Sequence, residues 1–524
     1  MKKIYNLMAL CAILFLGSAC SDDFLQKDSL TSVSSSTFWT TETDALNGLA
    51  ACYDGLQSNY LYNGGPWECG PLNMDCMTDN GGHFNWSGWM AGYDICNGTH
   101  NSSSWLVGSY WSACYEVIKR CNTLISNIDR VDMDASLVAR YKAEAVVIRS
   151  LIYCDLTMTY NDVPYLTSVQ SLTDAECEKT SRETIVEGVM ADLKTAAAAL
   201  PQTAESRGHV TKGAALALLG RIALYNEKWS EAIAAYEQVL GLGYSLFNDY
   251  STLFTETNEG CDEVIWGCRF EGPGLSEGAS FAAHWDTPLE AMNGTVDLAD
   301  AFYRTDGTKE TDDVVCAHYD DGSADLWSPN TARYENRDPR LKATLFVPGM
   351  AWGSADWNYG GAAASYSTIY VMKYFNPSQS SSTSWDSGQD FYIIRYAEVL
   401  LGLAEAYVEN GQQDKAYALV DQVRSRVGMP TVESVEGTGL SQAQMRDVVR
   451  HERRVELAFE GLRLFDLYRW HMLEDAVTRI NAEAAKYNFW YETRNYRGEQ
   501  EYEWPLPQTE LDANSKLEQN PLWK

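Results

Sequence analysis

Residues 400–423, LLGLAEAYVENGQQDKAYALVDQV, decide the fold class. Leu400, Leu403, Ala404 and Tyr407 recur at helical spacing, Gly411 interrupts the run, and Ala416, Val420 and Val423 resume it on a second helix. Small residues at such places let paired helices approach, and large ones fill the gap between them. Residues 219–240 repeat the scheme with Gly220, Ala223, Trp229, Ala232, Tyr236 and Val239.

Both stretches resemble tetratricopeptide helical hairpins, and weaker pairs at 111–159 and 182–224 extend the stack. The expected fold is therefore mainly α, a tetratricopeptide-like helical-hairpin scaffold with a loop-rich insertion at about 245–390 containing a few short strands. EVIWGCRF, 263–270, is the first of those strands. Further helices are predicted over 41–57 with Thr41 or Thr43 as N-cap, over 111–128 and over 135–159. Ser441 and Gln444 form a capping box that opens another. Within and beyond it, Arg450, Glu452, Arg453, Arg454, Glu456, Glu460, Arg463, Asp466 and Arg469 crowd among apolar residues. They are expected to form a structural ion-pair network, since the arginines outnumber the acids and no loop mouth adjoins them.

The chain opens with an export segment. Lys2 and Lys3 precede the apolar run 4–16, and Gly17, Ser18 and Ala19 lead to Cys20. The run is short for a bilayer span. Small residues before a cysteine resemble a bacterial lipoprotein processing site, which assigns 1–19 as signal peptide, Cys20 as lipidation site and 20–36 as a lipidated tether. Residues 37–524 then form a single domain. Ser21-Asp22-Asp23 resembles the surface-export signal of Bacteroidetes lipoproteins. Lipid anchoring needs no membrane helix, because each buried methylene contributes about 0.8 kcal/mol.

The net charge of -32 makes nucleic acid and anionic lipid surfaces poor partners. Of 13 cysteines, Cys11 leaves with the signal peptide and Cys20 takes lipid, so an odd number remains, which opposes a fully paired disulfide framework. Most are expected to be small buried hydrophobes, with Cys114 and Cys121 on one helix face. Gly274-Leu275-Ser276-Glu277-Gly278 matches GxSxG, but Pro273 and the lack of a helical pattern after Ser276 argue against a nucleophile elbow. No HExxH occurs, and Asp320 to Asp325, DDGSAD, departs from EF-hand spacing. No catalytic residue, metal ligand or cofactor is assigned.

Several motifs in order resemble the SusD/RagB-like outer-membrane lipoproteins. ERRVELAFEGLRLFDLYRW, 452–470, is similar to that family's C-terminal signature, and 391–429 resembles the repeat before it. SSTFWTTETDALNGLAACYDGL at 35–56, NRDPRL at 336–341 and WPLPQTELDANSKLEQNPLW at 504–523 agree. The resemblance implies a non-enzymatic, cell-surface glycan-binding lipoprotein on the extracellular face of the outer membrane. It would capture oligosaccharide and deliver it to a SusC-like TonB-dependent transporter. A peptide-binding RagB-type uptake component is the alternative, with a surface glycoside hydrolase behind it. The chain holds 17 Trp and 31 Tyr, many of them in Gly-, Asn- and Ser-rich stretches. Ligand contacts are expected from Trp86 and Trp89 with Asp79, Asn80 and Asn85 in loops at about 58–110, and from Trp285, Trp327, Trp352 and Trp357 in the insertion. Trp111, Tyr115 and Asn122 match the scaffold pattern and are excluded from the site.

Overall fold

The computed structural model describes residues 38–65, 68–83, 91–171, 176–283, 292–312, 331–352, 355–356, 369–380, 382–487 and 493–524. The export segment, Cys20 and the tether lie outside these residues, as does DDGSAD. Helices of seven residues or more are numbered in chain order: α1 (Glu42–Leu56), α2 (Trp105–Asn127), α3 (Ala135–Thr159), α4 (Arg182–Ala199), α5 (Lys212–Tyr225) and α6 (Trp229–Leu240). After the insertion come α7 (Tyr396–Glu409), α8 (Ala416–Arg426), α9 (Gln442–Leu457), α10 (Arg463–Arg469) and α11 (Leu473–Tyr487).

Side-chain caps start five of these helices. Thr41 with Asp44 and Ser441 with Gln444 form full capping boxes, and Asp134, Ser181 and Thr211 each accept from a first-turn N–H. Each such cap stabilises its helix by about 1 kcal/mol. The helices then pack in sequence, α1 on α2 through α6 on α7, after which α7 takes both α8 and α9. That is the stack of hairpins expected from the 400–423 and 219–240 patterns. One close joint is Tyr236, whose ring fills the space left by two glycines. A Cβ on Gly220 would lie 2.5 Å from that ring and one on Gly402 2.9 Å from it.

The insertion supplies short strands. β2 (Val264–Cys268) pairs antiparallel with β8 (Phe391–Arg395), closing the insertion back onto the scaffold. A four-stranded sheet has the order β1 (Gly81–His83), β3 (Met292–Gly294), β7 (Tyr370–Val371), β4 (Leu345–Phe346), and β5 (Ala351–Trp352) pairs with β6 (Ala355–Asp356).

The charged C-terminal segment is an interior ion-pair network. Arg395 sits 2.7 Å from Glu263, 2.6 Å from Glu456 and 2.7 Å from Glu460. Arg340 of NRDPRL joins Glu452 at 2.7 Å and Glu456 at 2.9 Å, and Arg424, Arg426 and Lys373 complete the shell. Arg469 bridges Glu405 on α7 and Asp466 on α10. Burial opposes the Glu456 carboxylate, yet Arg426, Arg395 and Arg340 outweigh it and hold the group well below the usual range. At the C-terminus, buried Trp504 donates its backbone N–H to Thr159 and packs edge-on against Tyr110 and Tyr160, tying the end of the chain to α2 and α3.

Two expectations are corrected in detail. α2 starts at Trp105, six residues before the expected Trp111, because Leu106, Val107 and Tyr110 continue its buried stripe and no proline intervenes. The loop-like region at 58–110 also carries helical turns at Pro71–Cys76 and Tyr93–Cys96 as well as β1. Ten cysteines lie among the described residues, eight of them buried, with Cys114 and Cys121 both in the packed face of α2. The GxSxG stretch follows β2 but forms an antiparallel bridge between Glu271 and Glu277. Residues 277–283 form no helix, so the strand-to-helix turn of a nucleophile elbow is missing.

Candidate ligand-binding site

The four-stranded sheet is the structural base of the predicted binding region. His83 pairs with Met292, so the chain following β1 toward Trp86 and Trp89 and the chain reaching β3 from Trp285 meet the sheet at one end. Phe346 pairs with Tyr370, bringing together the exit of β4 toward Trp352 and the entry to β7 from Trp357. The strands are two or three residues long, and these two pairs stand at opposite ends of the sheet. Trp86, Trp89, Asn85, Trp285, Trp327 and Trp357 themselves lie outside the described residues. Trp352 stands on β5, paired with Ala355 of β6.

Asp79 and Asn80 are placed differently from the expectation. Both are buried, and their polar atoms are taken up by the protein. Arg463 donates to both carboxylate oxygens of Asp79 at 2.8 Å, and Arg479 adds a further bond. Arg454 donates to Asn80 Oδ1 at 2.9 Å and to the Asp79 carbonyl at 2.8 Å. Burial opposes ionisation of Asp79, but Arg454, Arg463 and Arg479 override it and hold the carboxyl far below its ordinary range. These two residues therefore position the loop base instead of offering ligand contacts. An uncompensated opening of this cluster toward a sugar would strand several guanidinium groups.

The rest of the base is equally fixed. Asp75 Oδ2 accepts from the Phe459 N–H and from Asn80 Nδ2, while burial pushes the Asp75 carboxyl up to about 6. Arg494 donates to the carbonyls of Thr78, Cys76 and Gly81. Thr295 Oγ1 donates to the Asp79 carbonyl at 2.7 Å, and Glu483 on α11 accepts from the N–H groups of Val296 and Asp297. Gly81 is required where β1 meets β3, since a Cβ there would stand 2.8 Å from the Asn293 carbonyl. C-terminal helices thus hold the ends of β1 and β3.

Trp111, Tyr115 and Asn122 are scaffold, as expected: Trp111 is buried against Tyr160, Tyr115 donates to the Pro164 carbonyl and Asn122 to that of Leu166. Clefts also line α1, including one of about 590 Å³ walled by Leu46, Leu49 and Tyr53 opposite Arg207 to His209. Beside it Glu259, hydrogen-bonded to the Asp390 N–H, has its carboxyl pushed up to about 8 by burial and by the Asp390 charge. No group of three or more metal-ligating side chains occurs among the described residues. No described helix is long and apolar enough to cross a membrane.

Comparison with known proteins assigns the architecture. Residues 266–523 match the SusD family, and residues 23–224 match a family described as starch-binding associating with the outer membrane. The chain belongs to the SusD family. Among its SusD relatives, SusD-like protein P25 of Formosa agariphila is 25% identical over 98% of both chains. A SusD-like carbohydrate-binding protein of Bacteroides fragilis superposes with a TM-score of 0.78 at 26% identity, covering 92% of this chain and 100% of that one. A laminarin-binding SusD-like protein superposes with a TM-score of 0.71 at 24% identity over 92% of this chain and 100% of its own.

Proposed function

We propose that this SusD-family chain is a cell-surface, non-catalytic glycan binder, lipid-anchored through Cys20, that hands oligosaccharide to a SusC-like TonB-dependent transporter. The observation that carries this reading is that β1, β3, β4 and β7, next in sequence to tryptophan-bearing stretches, share one small sheet, itself locked to the C-terminal helices by Asp79 and its arginines. Trp86, Trp89, Trp285, Trp352 and Trp357 flank its strands, and Trp327 lies in the same insertion. A pyranose ring loses water against an indole face at roughly 25 cal/mol per Å². Amide and hydroxyl groups such as that of Asn85 then bond the sugar hydroxyls. Support also comes from the carbohydrate-binding and laminarin-binding descriptions of two superposable relatives. The tether at 20–36 would keep the domain at 37–524 close to its transporter.

Incubation of the pure protein with a labelled glycan panel that includes laminarin tests the reading. Retention without new reducing ends is expected, and release of reducing ends overturns the non-catalytic assignment. Binding of peptides with no glycan retained would transfer the protein to the peptide-uptake branch. Replacing Trp86 and Trp89 together by Ala should abolish retention if these residues form the platform, and unchanged retention would move the site to the insertion or elsewhere.

A further inference from the structure

Trp105 is the most exposed tryptophan among the described residues whose burial is resolved, at 52% of its surface. Its ring is held edge-on by Tyr60, with centroids 5.4 Å apart and planes at 78°. The turn beneath it is pre-organised: Asn101 accepts from the Ser103 and Ser104 N–H groups, Ser104 Oγ accepts from Asn101, and Ser102 bonds Gln508 of the C-terminal strap. Asn101, Ser102, Ser103, Ser104 and Gln508 put amide and hydroxyl groups in this turn. From Trp105 the same stripe of α2 passes Gly108, where a Cβ would meet nothing within 4 Å, and exposed Ser112 to reach Glu116. There a cleft of about 400 Å³ opens, lined by Ser58, Asn63, Glu116, Arg120, Phe270 and Glu277. Eleven residues of helix separate Trp105 from Glu116, a path of about 16 Å.

We infer that this face of α2 is a second glycan-binding site, distinct from the four-stranded sheet, which takes a short run of a neutral oligosaccharide. One pyranose stacks on Trp105, and the chain runs along α2 with its far end in the Glu116 cleft. The indole supplies the apolar face a sugar ring needs. Asn101 Nδ2 and Ser103 Oγ beside the ring suit sugar hydroxyls, while Asn101 Oδ1 is held by the Ser103 N–H. Glu116 and Glu277 in the cleft, with Arg120 already paired to Asp54 and Glu116, exclude anionic glycans. Two separated sites would let the protein hold a polymer at two points, which raises retention without new contacts at either one.

The inference rests on the glycan-binding reading, and affinity electrophoresis of the full chain in gels containing neutral polysaccharides separates the two. A wild-type protein retarded by none of them overturns the glycan reading itself. With wild type retarded, Trp105→Ala should weaken retention about tenfold, the loss expected for one indole face of apolar burial. Equal retention of wild type and variant overturns the second site alone. Should Trp105→Ala lower the thermal midpoint, Ser112→Arg decides instead, because it adds bulk at an exposed position midway along the path. Reduced retention of that variant supports the site, and wild-type retention overturns it.

Discussion

The helical stack and the four-stranded sheet differ in what fixes their atoms. In the stack, positions follow from periodic packing and from carboxylates shared among several guanidinium groups, as Glu456 is among Arg340, Arg395 and Arg426. The sheet has strands of two or three residues, too few to hold themselves. Its position is borrowed from the stack, through Asp79, Thr295 and Glu483.

The largest expected effect is at the centre of the network. Glu456→Ala would strand Arg340, Arg395 and Arg426 in the interior and should lower stability by about 3–5 kcal/mol, read as a urea midpoint. A shift no larger than that of an exposed substitution would mean the network is dispensable and the contrast between the two regions false. A smaller loss is expected from Gly220→Ala, whose Cβ would press on the Tyr236 ring at 2.5 Å. Overpacking of this kind costs about 1–3 kcal/mol, and because it is remote from the sheet it should leave glycan retention intact. Loss of retention with the fold preserved would show that the stack and the sheet are not separable.

A third effect concerns pH. Asp155 on α3 is buried, and burial pushes its carboxyl up to about 7 despite the pull of Arg221. The folded chain therefore holds this proton across a window where the unfolded chain, near 3.8, has released it, so stability falls as pH rises from about 4 to 7. Asp155→Asn should remove that slope and gain on wild type between pH 5 and pH 8 in thermal midpoint. Glu456 and Asp79 have the opposite sign. Their carboxyls are depressed in the fold, so their contribution is present above the unfolded values and is lost on acidification.

Much of this contrast was legible before any coordinates. The glycine and tyrosine spacing of 219–240, the caps at Thr41 and Ser441 and the charge-dense signature at 452–470 each carry their physical cause within a few residues. Asp79 and Asn80 were misread because TDNGG looks like an exposed polar loop. Their true partners, Arg454, Arg463 and Arg479, stand 374 to 400 positions away. Trp105 drew no site assignment, since nothing local distinguishes a stacked core indole from one held open on a helix start.

By itself the sequence determined the helical hairpins, their caps, the odd cysteine count and the family, because periodicity, capping and motif order are short-range properties. Only the tertiary structure decided which polar residues face inward, that loop roots far apart in the chain share one sheet, and that Trp105 and Tyr60 meet beside an open helix face. Those outcomes depend on burial and on charges brought together from opposite ends of the chain, which local sequence does not encode.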